Sequence, residues 1–265
     1  MKVSEIASRI ERRIPKAWAE EWDNPGLAVG ELDADVARIA VALDATPETV
    51  ERAASLGCAM LVTHHPIIFH PAKSVVDNSI VGRTIIAAVR KGVALYAAHT
   101  NWDSSPEGVN VVLGTLLGLA DIAPLLPSRS GGWGLGVIGN LPGAVTMAEL
   151  SGMVAEKWKL KNFTLYDDSA KRVTRVAAGG GACADFWQTA MTLGAECFVT
   201  ADVPYHLRAE ALAAGMSVID ADHAETERPS LPALAKVVAE ETELPATIIP
   251  EVDAPFIYGT DIVKD

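Results

Sequence analysis

Three short segments hold the residues best suited to chemistry: Thr63-His64-His65-Pro66, His99-Thr100-Asn101-Trp102-Asp103 and Asp222-His223-Ala224-Glu225-Thr226-Glu227. Imidazole and carboxylate donors together suit zinc, iron, manganese or similar ions, whereas structural zinc sites draw mainly on cysteines. An isolated His-His pair also fits two half-buried histidines bonded to backbone. Asp103, just ahead of Ser104-Ser105-Pro106, also fits a helix N-cap or an Asx turn. The third segment is more directional. His223 and Glu227 are four residues apart, so on a helix they share a face and can reach one ion. Glu225 then points elsewhere and suits the helix dipole. The candidate ligands are therefore His64, His65, Asp103, His223 and Glu227. They are too few to close two coordination shells, which leaves positions for water, as in two-metal hydrolytic sites.

Elements that could position these residues follow from hydrophobic pattern. Short apolar runs rich in Val, Ile or Leu at 37–43, 59–63, 93–98, 173–178, 197–200 and 216–220 read as buried strands. Helical patterns at 47–56, 80–91, 107–117, 182–193, 204–214 and 232–243 alternate with them. This alternation predicts an α/β fold with mainly parallel or mixed sheets flanked by helices. The halves also show a weak duplication: Leu56-Gly57-Cys58-Ala59-Met60-Leu61-Val62-Thr63 resembles Leu193-Gly194-Ala195-Glu196-Cys197-Phe198-Val199-Thr200, and Arg38-Ile39-Ala40-Val41 resembles Arg175-Val176-Ala177-Ala178 at the same offset. Two pseudo-repeated lobes are expected, residues 1–128 carrying the His-His and Asp103 clusters and 129–265 carrying His223 and Glu227. The Pro, Gly and Ser-rich stretch 124–136 is the expected linker, and one or two short strands are expected after Pro245. All six histidines (His64, His65, His70, His99, His206 and His223) are expected at or just beyond strand ends, where sites form outside the carboxyl ends of parallel strands.

Composition narrows the partners. The 265 residues are 49% hydrophobic, enough for a sizeable core, and the net charge of -12 disfavours nucleic acid and anionic membrane surfaces. Cys58, Cys183 and Cys197 form no CxxC pair and read as reduced thiols. The first residues lack an apolar signal-peptide core, and no apolar run approaches a membrane span, so a cytoplasmic location is expected.

With these clusters in hand, the chain resembles the NIF-three-like dinuclear-metal proteins, also described as GTP cyclohydrolase I type 2 homologues. The resemblance adds Glu21-Trp22-Asp23-Asn24-Pro25-Gly26-Leu27 and Gly134-Leu135-Gly136 to the three segments and covers nearly the whole chain. It implies two divalent ions per subunit (zinc, iron or manganese), held by His64, His65, Asp103, His223 and Glu227, with His99 close by. It also implies a two-lobed chain of the compact form, without an inserted domain, assembled into a toroidal homohexamer. Two positions depart from the family pattern: Ala201 in Thr200-Ala201-Asp202, expected to alter a turn, and Asp222, expected to add a carboxylate beside the metals. The leading functional expectation is a metal-dependent hydrolase of a phosphoester, nucleotide or related small molecule. In it Asp103 or Glu227 would bridge the ions, with His99, Asp202 and His206 as acid/base or orienting groups. A non-catalytic metal-handling ring and a GTP cyclohydrolase are the alternatives, although the chain has no P-loop spacing and no cysteine ligand. Trp22 is expected in the core and Trp102 in a pocket wall.

Overall fold

A computed structural model describes residues 1–250. The first three parallel strands are β-elements with every residue buried, so their apolar runs feed both faces of a covered sheet. In chain order the strands are β1 (Gly26–Val29), β2 (Ile39–Ala42), β3 (Met60–Thr63), β4 (Ala94–Ala97), β5 (Ala120–Ala123), β6 (Leu126–Pro127) and β7 (Gly134–Leu135). They continue with β8 (Val137–Thr146), β9 (Phe163–Tyr166), β10 (Arg172–Ala178), β11 (Cys197–Ala201), β12 (Ser217–Ala221) and β13 (Ala246–Ile248). One sheet has the order β1-β4-β3-β2-β13 and a second the order β5-β8-β10-β11-β12-β9. Strands β2, β3 and β4 run parallel, as do β10, β11 and β12, which is the correspondence the sequence duplication predicts. Antiparallel neighbours β1, β8 and β9 flank these triplets and make both sheets mixed.

Among the described residues, ten helices cover the sheets: α1 (Val3–Arg13), α2 (Pro47–Ser55), α3 (Ile80–Lys91), α4 (Thr100–Asp103), α5 (Val109–Leu117), α6 (Met147–Trp158), α7 (Trp187–Thr192), α8 (Tyr205–Ala213), α9 (His223–Glu227) and α10 (Leu231–Thr242). Their starts obey capping chemistry. Thr46 accepts from Thr49 N ahead of Pro47, Ser79 accepts from Gly82 N, and Thr146 with Glu149 forms a full capping box. Alternation along the strands then sorts the core. Ile39, Val41, Met60, Val62 and Tyr96 of the first sheet share one cluster with Val176, Val199 and Ile219 of the second, filled by α1, α5, α6 and α10. The opposite faces bury Ala40, Leu61 and Leu95 under α2 and α3, and Ala177, Phe198 and Val218 under α7 and α8. At about 25 cal/mol per Å² of apolar area, the shared interior ties the two sheets into one unit.

Sheet membership does not follow the expected cut at residue 128. Strand β5, within 1–128, joins the second sheet, and β13, within 129–265, adds to the first beside β2 through the register Ala246↔Ile39. The cause is α10, which packs on α1 and returns the chain to the first sheet. Strand β13 is one of the strands expected after Pro245; anything past residue 250 lies outside the described residues. The stretch expected as a linker carries the β6–β7 ribbon, and its Trp133 N–H donates to Ser104 O at 2.7 Å, beside the Asp103 turn. The expected helix over 182–193 is a 3₁₀ turn at Ala184–Phe186 followed by α7. Strand β8 escaped the pattern because Gly139, Pro142 and Gly143 interrupt its apolar run, and its ladder to β10 shifts register there.

Candidate metal centre

The carboxyl ends of β2, β3 and β4 face those of β11 and β12, and the polar residues that follow these strands meet between the sheets. His64 and His65 continue β3, their backbone N–H groups donating to Leu43 O at 3.1 and 3.0 Å. His99 follows β4 and precedes the single turn of α4, which ends on Asp103. His223 opens α9 directly after β12, and Glu227 closes it. The i, i+4 spacing does what helical geometry requires: His223 Nε2 lies 3.1 Å from Glu227 Oε1. Glu227 is the hub, with His64 Nε2 3.4 Å from its Oε1 and His65 Nε2 2.9 Å from its Oε2. Asp103 Oδ1 is 3.7 Å from His64 Nε2.

Each imidazole is turned by an acceptor on its far side. His64 Nδ1 donates to Ala98 O at 3.0 Å, His65 Nδ1 to Asp44 Oδ1 at 2.8 Å, His99 Nδ1 to Asp23 Oδ1 at 2.7 Å and His223 Nδ1 to Asp202 Oδ2 at 2.6 Å. A neutral imidazole that donates through Nδ1 offers its Nε2 lone pair, so His64, His65 and His223 aim ligand atoms at Glu227. This carboxylate–histidine relay is the usual support of metal-binding histidine. Among the described residues, His64, His65 and His99 form one group whose donor atoms lie within 4.8 Å of one another, and His65, His223 and Glu227 form another.

The donors fit a cation. His64 Nε2, Asp103 Oδ1 and Glu227 Oε2 are buried without a hydrogen-bond partner, and the short approach of Glu227 Oε2 to His65 is a charge contact lacking hydrogen-bond geometry. Leaving three such atoms bare is costly in a protein interior, and an ion would satisfy them together. Without a metal, the surrounding carboxylates favour the protonated form of the histidines. Burial works against a charged His65, but Asp44 and Glu227 outweigh it and push the ring up to about 10. The hydrogen bond to Glu227 leads in lifting His223 to about 9. Burial would raise Glu227, yet His64, His223 and His65 hold it well below the usual carboxylate range. Asp103 is pushed up to about 6 by burial.

A cleft of about 540 Å³ opens onto these atoms, lined by His65, His99, Asp103, His223 and Glu227 together with Trp22, Phe69, Leu135, Cys183 and Phe186. Of the expected acid/base or orienting groups, His99 lines the cleft and Asp202 sits behind His223, holding its ring. His206 does not join them: it is exposed on α8 and outside the cleft lining, because Pro204 starts that helix and carries the side chain away from the β11 end. His206 therefore also departs from the expected strand-end placement. Asp222 is no extra carboxylate beside the cluster, since its side chain caps α9 by accepting from Glu225 N at 3.1 Å. Directly after Ala201 the chain turns through Asp202, whose φ of 52 is left-handed backbone. Glu225 is buried and accepts from Lys161 N at 2.7 Å.

The two tryptophans exchange their expected places. Trp102 is fully buried and donates to Ser230 Oγ at 3.1 Å, whereas Trp22 is 60% exposed at the cleft rim. Asp23 explains the difference. Its carboxylate, held near a pKa of about 2 by His99 and Thr100 despite burial, anchors the turn and leaves the neighbouring Trp22 side chain outside. Sequence reasoning also passed over Asp44 and the run Gly179-Gly180-Gly181. At Gly181, φ is +67 and a Cβ would collide with Glu227 Oε1 and stand 3.0 Å from His223 Nε2. Three consecutive glycines straight after a buried strand were the available signal.

Residues 1–255 match the DUF34/NIF3 (NGG1p interacting factor 3) family. The chain belongs to that family. It is 29% identical over 97% of its length to the whole of a Clostridium perfringens protein named GTP cyclohydrolase 1 type 2 homolog. A Clostridium acetobutylicum protein of the same name is 32% identical over 89% of both chains. A Bacillus cereus protein related to NIF3, 23% identical, superposes with a TM-score of 0.92 over 97% of this chain and 99% of its own, which shows a shared fold. Among the described residues no helix is long and apolar enough to cross a membrane.

Proposed function

We propose that this family member is a metal-dependent hydrolase holding two divalent ions between its sheets, acting on a small phosphoester, nucleotide or related molecule. The observation that carries the reading is the convergence of His64, His65 and His223 Nε2 with Asp103 and Glu227, three of whose atoms are buried and unpartnered. Bound there, a pair of ions would polarise a substrate oxygen and acidify water at neutral pH. The chain's own residues supply the rest. Asp44 and Asp202 hold His65 and His223 in the tautomer that presents Nε2. His99, fixed through Nδ1 by Asp23, faces the cleft as a proton carrier. Trp22 and Phe186 add apolar walls to the cleft that a substrate would enter.

The metal-loaded full chain, offered a panel of phosphoesters and nucleotides, is expected to turn over at least one, with Asp103→Ala abolishing turnover at unchanged subunit number. Silence across a broad panel while metal stays bound supports the non-catalytic, metal-handling reading instead. The relatives' name supports a GTP cyclohydrolase, yet no Lys or Arg stands among the described residues lining the cleft to receive a triphosphate. A toroidal homohexamer in the cytoplasm is part of the same proposal, and light scattering checks the subunit count.

A further inference from the structure

The cleft is built unevenly: ionisable donors at its floor and apolar planes at its mouth. Trp22 and Phe69, 60% and 40% exposed, meet edge to face with ring centroids 5.7 Å apart. His99 sits edge-on to both, at 6.2 Å from Trp22 and 6.0 Å from Phe69. Three rings in edge-to-face contact, with interplanar angles of 63°, 74° and 81°, brace one another, so the Trp22 face is held by its neighbours while remaining open to solvent. Asp23 adds rigidity from behind by bonding His99 and Thr100. Phe186 and Leu135, supplied by the second half of the chain, also line the cleft.

Charge at the mouth is as telling as shape. Among the described residues that line the cleft, none is Lys or Arg. Cys183 adds no charge: its thiol donates to Gly180 O at 3.2 Å, and burial pushes its pKa up. Two divalent ions beside Asp103 and Glu227 leave roughly two positive charges, enough for a water-derived oxygen and one further anionic group. A triphosphate would remain uncompensated, in a chain of net charge -12. A large exposed indole with no cation beside it suits the face of a flat ring, because stacking needs a π surface and no countercharge.

We propose that the cleft takes an uncharged aromatic or heteroaromatic ring, stacked on Trp22 at the mouth and carrying a single oxygen-donor group to the ions at the floor. The assignment rests on the two-metal reading and narrows its substrate class from nucleotides in general to ring compounds without a polyphosphate tail.

Hydroxamates separate the two layers of the argument. Calorimetry on the metal-loaded full chain would compare acetohydroxamate, which offers the metal-binding group alone, with benzohydroxamate, which adds a ring. Acetohydroxamate is expected to bind only when metal is present. Benzohydroxamate is expected to bind about 10-fold tighter, the worth of one stacking contact. Trp22→Ala should bring the ratio close to one and Trp22→Phe should restore most of it; an exposed position makes either variant safe for folding. If acetohydroxamate fails to bind the loaded protein, the metal reading itself is wrong. If it binds but benzohydroxamate gains nothing, or gains equally in Trp22→Ala, the stacking site is refuted while the metal centre stands. GTP displacing benzohydroxamate with more than about 10-fold higher affinity would overturn the exclusion of polyphosphates.

Discussion

Asp44, just past the end of β2, accepts the Nδ1 proton of His65, just past the end of neighbouring β3, at 2.8 Å. The second sheet repeats the device between Asp202, past β11, and His223, past β12. Parallel neighbours whose ends lie side by side make such a bond between adjacent strands short and direct. Both carboxylates are substantially exposed, so removing either should leave the core intact. Asp44→Ala and Asp202→Ala are each expected to weaken metal affinity about 10–100-fold, the usual worth of a residue that orients a ligand. Competition against a calibrated chelator measures it; wild-type affinity in both variants would show the carboxylates are ornamental.

Glu227 holds the metal-free site together. Nearly fully buried, it is the counter-charge within 3.4 Å of three imidazoles. Glu227→Gln keeps the shape and removes the charge, stranding histidines that must then bury protons without compensation or give them up. The expected cost in the metal-free protein is about 3 kcal/mol, at the lower end for breaking a buried pair. Urea denaturation reads that loss, and metal uptake should fail in the same variant.

What the sequence made legible was the set of groups that a local pattern can carry. His223 and Glu227 were readable because helical spacing dictates a shared face, and His64 and His65 because a buried strand ends on them. The parallel triplets were readable because burial on both faces writes continuous apolar runs. Long-range pairing was not. Nothing near Asp23 says that it will bond a histidine 76 residues away, and nothing near Asp44 names His65. Trp22 and Trp102 were exchanged for the same reason, since a tryptophan's burial depends on which elements arrive from elsewhere. Strand β13 crossed to the first sheet because of α10 packing, which no local signal announces.

Protons and metal compete for the same nitrogens, and the direction of that competition is fixed. His65 and His223, raised to about 10 and about 9, stabilise the metal-free fold fully below their unfolded pKa of about 6.5 and lose that contribution as pH climbs through the folded values. Glu227, held low, contributes above the unfolded carboxylate range and loses its share as pH falls. Metal-free protein should therefore be most stable in mildly acidic solution and soften from about pH 6.5 to about 10. Metal replaces those protons, so loading must release them, and the gap in Tm between loaded and chelator-treated protein should widen over the same interval. Thermal scans across pH, with calorimetry in buffers of different ionisation enthalpy, check both halves. A gap that stays flat across this interval would mean the histidines are already neutral.

Gly181 gives the sharpest structural test, because its surroundings separate backbone strain from collision. Its N–H donates to Thr226 Oγ1 at 2.8 Å, and its carbonyl accepts from Ala201 N at 3.0 Å and Thr200 Oγ1 at 2.9 Å. Pinned on both sides, the loop cannot retreat from a new methyl group. Gly181→Ala therefore faces two penalties: left-handed backbone at φ +67, about 1–2 kcal/mol for an L-residue, and a Cβ pressed on Glu227 and His223. Gly57 supplies the control, with φ +72 and nothing within 4 Å of an added Cβ. Both variants should lose comparable stability from the backbone, but only Gly181→Ala should lose metal, by more than Asp44→Ala does. Equal metal content in the two alanine variants would show that Glu227 can move without cost, and that the cluster is looser than its distances imply.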